Sequence, residues 1–122
     1  MIKGLGSDLC PPARWVHLIA RFGPEKCCAK VLHPEEADYL LAGNRERLPE
    51  RLAGRWALRE AFGKALGVGL DGWSWRQLRY KNGRLWAEGA LAERLAREGI
   101  TRLHATVAHD GGTALAVVIL EG

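Results

Sequence analysis

Long apolar runs are missing from this sequence. The longest, Ala114 to Leu120, is far short of the roughly 20 residues that a membrane-spanning helix needs, so no membrane partner is expected. The opening MIKGLGSDL has neither a basic leader region nor the extended apolar core of a secretory signal, and the expected location is the cytoplasm. Cysteine is scarce as well. The three present, with Cys27 and Cys28 adjacent, cannot pair completely, and no CxxC or Cys/His ligand spacing occurs. Neither a disulfide framework nor a structural zinc is therefore expected to hold the chain together. Repeats, low-complexity tracts and linker-like stretches are also lacking. The 122 residues read as one domain, 1–122, long enough to bury an ordinary core.

What is present is a surplus of positive charge, 18 basic against 14 acidic residues for a net +4, which favours an anionic partner without naming it. Ile2 to Leu9 reads as a short strand ending at Asp8, and Pro11-Pro12 opens a helix. In that helix Trp15, Leu18, Ile19 and Phe22 recur at the spacing of one buried face, which puts Arg14, His17 and Arg21 on the opposite, basic side. A short helix follows from His33-Pro34-Glu35-Glu36 to Gly43-Asn44, then the longest helical signal, Pro49 to Leu66, closed by Gly67. Trp73 to Lys81 alternates like a strand, turns at Asn82-Gly83 and returns through Arg84 to Ala87. A helix over 90–98 precedes a second alternating stretch, Leu103 to His109, a turn at Asp110-Gly111-Gly112, and the wholly apolar strand Thr113 to Leu120, expected at the centre of a sheet. The order predicts an α+β fold, a mostly antiparallel sheet with helices packed on one face.

In the long helix, Leu52, Ala53, Trp56 and Ala57 span an arc of roughly 140°, and Glu60 falls inside it, with Lys64 one turn further. A charged group aimed at a packed side costs several kcal/mol unless it is paired or bound to a cation, an order-of-magnitude figure of ~3 kcal/mol or more. Two readings stay open at this point. Glu60 and Lys64 form an i, i+4 ion pair at the edge of the stripe. Alternatively Glu60 meets Asp8 from another element, and the two carboxylates hold magnesium with phosphate oxygens and waters, Lys64 facing the phosphate. The tryptophans at 15, 56, 73, 75 and 86 read as core packing or as apolar surface between subunits.

Three blocks, GLGSDL near the start, RLAGRWALREAFGKALGVGL from Arg51 to Leu70, and LHATVAHDGGTALAVVIL from Leu103 to Leu120, resemble the bacterial holo-acyl-carrier-protein synthases, the short group of 4′-phosphopantetheinyl transferases. The resemblance implies the 4′-phosphopantetheinyl transferase fold and Mg²⁺-dependent transfer of phosphopantetheine from coenzyme A to a serine of an acidic apo acyl carrier protein, with release of adenosine 3′,5′-bisphosphate. Carried over by motif, Asp8 and Glu60 are the expected magnesium ligands, and Glu60 and Lys64 the catalytic pair. Lys64, His109 and Arg84 are expected to contact coenzyme A, and Arg14 and Arg21 the carrier protein. The family also implies a homotrimer with active sites between subunits. Against the family pattern, Arg59 stands in place of a lysine, Cys10-Pro11-Pro12 in place of an aliphatic, often acidic segment, and Gly83-Arg84-Leu85 in place of a Gly-basic-Pro hairpin.

Phosphoryl-group transfer of this kind calls for charge stabilisation more than covalent help. Glu60, directly or through a water, is the candidate base, with His109 second to it and otherwise a cap on the hairpin turn. Competing classes are a magnesium-dependent phosphodiesterase or nuclease built on the same residues, and a nucleic-acid-binding module using the basic charge and tryptophans. The first would want more acidic ligands or a histidine cluster, and the second has no RNP-like, KH or zinc-finger signature, so no nucleic-acid partner is expected.

Overall fold

Apolar alternation, short turns and proline-opened helices resolve into five strands and five helices, described for residues 1–122 in a computed structural model. Strand β1 (Ile2–Cys10) leads into helices α1 (Pro12–Phe22), α2 (Pro24–Val31) and α3 (Pro34–Ala42), then into the central helix α4 (Leu48–Leu66). The hairpin β2 (Leu78–Lys81) and β3 (Arg84–Ala87), helix α5 (Gly89–Arg97), and the hairpin β4 (Arg102–Asp110) and β5 (Thr113–Glu121) complete the chain.

All strand pairs are antiparallel, but they form two sheets: β1-β5-β4, and the separate pair β2-β3. The wholly apolar β5 is central in the larger sheet, as expected. Its even-numbered side chains, Ala114, Ala116, Val118 and Leu120, are buried against α4. On the other face, Leu5 (65% exposed) and Leu9 (59%) of β1 and Leu115 (38%) of β5 meet no covering element.

Helix α4 is buried nearly all round, not along one stripe. Small residues make this possible, and the closest approach is on the β1 side. A Cβ at Gly4 would lie 2.0 Å from the Ala65 carbonyl oxygen, and one at Gly6 2.0 Å from that of Ala61. Only glycine lets β1 lie directly on the helix backbone. Strand alternation then points the next residues on that face, Asp8 and Cys10, at the same helix.

One element lies outside the sequence reading, and two expectations need correction. Residues 24–31 form a helix, α2, that the apolar pattern does not disclose: Cys27, Cys28 and Val31 are its only buried residues. Only the last part of the stretch Trp73 to Lys81 is strand, and Trp75–Gln77 is a turn of 3₁₀ helix. There the Trp73 and Trp75 indoles donate to the carbonyls of Gly69 (2.8 Å) and Lys30 (2.9 Å), and Trp73 packs on Phe62, so tertiary contacts override alternation. Finally, Phe22 shares the face of Trp15 and Leu18 but is half exposed, 49%, on a groove that all three line.

Candidate active site

Asp8 and Glu60 come together where β1 crosses α4. The Asp8 Oδ1 accepts from the Leu9 N–H at 2.8 Å, and its Oδ2 lies 3.6 Å from the Lys64 ammonium. Lys64 donates to the Ser7 carbonyl at 3.2 Å, so a cation from α4 clasps β1 at the acidic position. Glu60 is half buried beside Asp8, within hydrogen-bonding reach when one of the two is protonated. It forms no ion pair with Lys64 within 4.0 Å, so the i, i+4 pair of the first reading is not made, and the lysine lies on Asp8 instead. Burial first, and then the Asp8 charge, raise the Glu60 carboxyl above the ordinary carboxylate range, while Arg14 pulls it back. No third His, Cys, Asp or Glu joins a set able to hold an ion by protein ligands alone. The pair therefore fits Mg²⁺, which keeps waters and substrate oxygens in its shell, better than a cation that demands a full protein cage.

The segment after Asp8 is regular despite its unusual sequence. Cys10 is fully buried, and burial raises its thiol pKa; Pro11 caps α1, and Pro12 occupies its first turn. Arg14 on that turn is close enough to Glu60 to lower its pKa. Arg14 also borders a groove of about 460 Å³ between α1, α2 and α4, so it is not on the far side of the helix from Trp15 and Leu18 as the spacing predicts. Trp15, Trp56 and Trp75 line this groove, Trp56 standing edge-on to Trp15 (6.4 Å between centroids) and to Trp75 (5.4 Å). Of the five tryptophans only Trp15 is buried. Lys26 and Lys30 of α2 also border the groove, and neither they nor Arg14 have a carboxylate within ion-pair distance. Arg21, two turns beyond Arg14, is exposed and lies over the Phe22 ring at 5.0 Å.

His109 and Arg84 are not in this cluster. His109 packs over Gly54 of α4, about 9 Å along the helix axis from Glu60 at 1.5 Å per residue, and its ring makes no hydrogen bond, so it does not cap the hairpin turn. Arg84 is exposed at the start of β3 and lines a different concavity, with Leu95, Ile100 and Leu103.

One feature escapes sequence reasoning altogether. Arg59, next to Glu60, is completely buried in a network with Glu36 of α3. Burial pulls its guanidinium below the ordinary value while Glu36 pushes it back up. A residue pair 23 positions apart leaves no local signal of such a contact.

Residues 13–118 match the 4′-phosphopantetheinyl transferase superfamily. Among individual proteins, the chain is 40% identical to a holo-[acyl-carrier-protein] synthase of Anaeromyxobacter dehalogenans, over 100% of this chain and 98% of that protein. Its fold is similar to the crystal structure of holo-[acyl-carrier-protein] synthase from Neisseria meningitidis, with a TM-score of 0.88 and 30% identity over 100% of both chains. It is also similar to the Helicobacter pylori enzyme in complex with coenzyme A, with a TM-score of 0.76 and 28% identity over 96% of this chain and 99% of that one.

Proposed function

The chain belongs to the 4′-phosphopantetheinyl transferase superfamily, among the holo-[acyl-carrier-protein] synthases, and from that premise we propose how its residues carry out the transfer. Coenzyme A is the donor, and a serine hydroxyl of an acidic apo carrier protein is the acceptor. The serine oxygen attacks the β-phosphorus. A new P–O bond forms, the P–O bond to the bridging oxygen breaks, and that oxygen leaves with the electron pair as adenosine 3′,5′-bisphosphate. Asp8 and Glu60 are the residues that would hold Mg²⁺, which when bound would neutralise the diphosphate charge. The serine proton passes to Glu60, directly or through a water. Lys64 is exposed and long enough to turn from Asp8 to a phosphate oxygen, adding a second positive centre. Arg14 and Arg21 steer the acidic carrier protein to α1. The observation that carries this reading is the meeting of Asp8 and Glu60, from different elements, with two cations beside them.

The active unit is a homotrimer. The bare apolar face formed by Leu5, Leu9 and Leu115 is the surface it buries, and His109 and Arg84 reach coenzyme A across the boundary from a neighbouring copy. The enzyme works in the cytoplasm as a single domain.

The test is intact-mass spectrometry of an apo carrier protein incubated with coenzyme A, Mg²⁺ and this protein. The expected result is a gain of one phosphopantetheine that disappears when the cation is chelated. No gain in the presence of Mg²⁺ overturns the transferase reading, and a gain that survives chelation overturns the metal assignment.

A further inference from the structure

Arg59 stands beside Glu60 in α4 but serves a different surface. All of its N–H groups find acceptors. Nε donates to the Trp75 carbonyl (3.1 Å), Nη1 to the Arg55 carbonyl (3.2 Å) and Glu36 Oε2 (3.5 Å), and Nη2 to Glu36 Oε1 (3.1 Å) and the Leu78 carbonyl (2.7 Å). Glu36 does not depend on Arg59 alone, because Arg55 Nε donates to it at 2.9 Å and the Tyr80 N–H at 3.2 Å. Arg59 adds a side-chain grip on the Trp75 and Leu78 carbonyls, which bracket the 3₁₀ turn between α4 and β2; the Trp75 carbonyl also accepts from the Leu78 N–H, and the Trp75 indole is held by the Lys30 carbonyl. A lysine, with one ammonium in place of a planar fork, cannot serve Glu36 and both carbonyls together.

Trp75 is the part of that turn with a surface role. Its ring closes the aromatic groove against Trp56, and Trp56 lies one helical turn before Glu60. The unpaired Arg14, Lys26 and Lys30 around an apolar interior suit an apolar side chain presented by an acidic surface. Arg14 is the residue common to both places: it borders the groove, and its charge reaches Glu60.

We propose that Arg59 is a positioning residue for carrier-protein recognition: it acts through Trp75 to fix the wall of the groove that receives an apolar side chain of the acidic partner. The inference rests on the transferase reading above.

Steady-state kinetics of Arg59→Lys, Arg59→Met and Trp75→Leu, with carrier protein and coenzyme A varied separately well below each thermal midpoint, test it. The expected result is a carrier-protein KM about tenfold higher in each, the scale of losing one well-packed contact. The KM for coenzyme A and, in the Arg59 variants, kcat stay within about twofold. A purely structural Arg59 lowers the thermal midpoint and leaves both KM values in place, which overturns the proposal. A rise in the coenzyme A KM alone gives the groove to the pantetheine arm and also overturns it. If the Arg59 variants do not fold, Trp75→Leu decides, because it keeps the buried network: an unchanged carrier-protein KM is then the overturning result. No transfer by the wild-type protein removes the transferase reading itself, and this inference with it.

Discussion

Glu60 carries the clearest electrostatic signature in the molecule. Its folded-state pKa lies above that of the unfolded chain, so the folded state holds the proton more tightly. The stabilisation this gives is complete below the unfolded carboxylate pKa and is lost as pH rises through the folded value. In the cation-free protein the ionised form of Glu60, crowded by Asp8, opposes folding as pH rises. Urea denaturation in chelator is expected to find Glu60→Gln more stable than wild type at pH 7, with the difference vanishing toward pH 4. Activity should behave oppositely: Asp8→Asn and Glu60→Gln are each expected to lower Mg²⁺-dependent transfer by about 100-fold or more, measured as kcat/KM. Asp8, Glu60 and Lys64 were legible only in part: the helical arc leaves open both a Glu60–Lys64 ion pair and an Asp8–Glu60 pairing, and it is the resemblance to the transferases that singles out the second. Arg59 was not legible at all, since its burial depends on Glu36, a contact set by tertiary packing and by no local spacing.

Among the elements, β1 depends most on residues that seem to do nothing. Gly6→Ala places a methyl 2.0 Å from the Ala61 carbonyl oxygen, and neither backbone can yield without moving strand or helix. The expected cost is about 3 kcal/mol or more in chemical denaturation, with Mg²⁺-dependent activity falling further than stability accounts for, because Asp8 moves with the strand. Helix α1 gives a second test. Arg14→Glu or Arg21→Glu should raise the KM for carrier protein about tenfold or more and that for coenzyme A far less, and equal effects on both would remove this helix from the docking surface. The order of strands and most helices followed from periodicity and turn residues. Helix α2 did not, because its eight residues make barely two turns and bury only Cys27, Cys28 and Val31. The 73–77 segment misled for the opposite reason: it alternates well, but its indoles are claimed by Gly69 and Lys30.

At the scale of the whole molecule, the uncovered face of the larger sheet matters most. Leu5→Lys is expected to convert the proposed trimer to monomer in light scattering and to reduce transfer with it. Complementation separates shared sites from merely adjacent ones. Mixing Asp8→Asn with His109→Ala, each inactive alone, should restore part of the activity only if one copy's Asp8 works with another's His109. The outer face was half legible: β5 reads as apolar on both sides, but no single-chain pattern says what covers the second side.

The pairing of β1 with β5 also governs when the catalytic pair becomes firm. The two strands lie side by side, yet about a hundred residues separate their starts, a span of several seconds at a translation rate of about 5–20 residues per second. During that interval β1 has no neighbouring strand to pair with. A chain stalled before Thr113 is therefore expected to hold Asp8 against Glu60 only through the packing of β1 on α4, and less firmly than the finished chain does. Protease protection of the first ten residues should be complete only when β5 has cleared the ribosome.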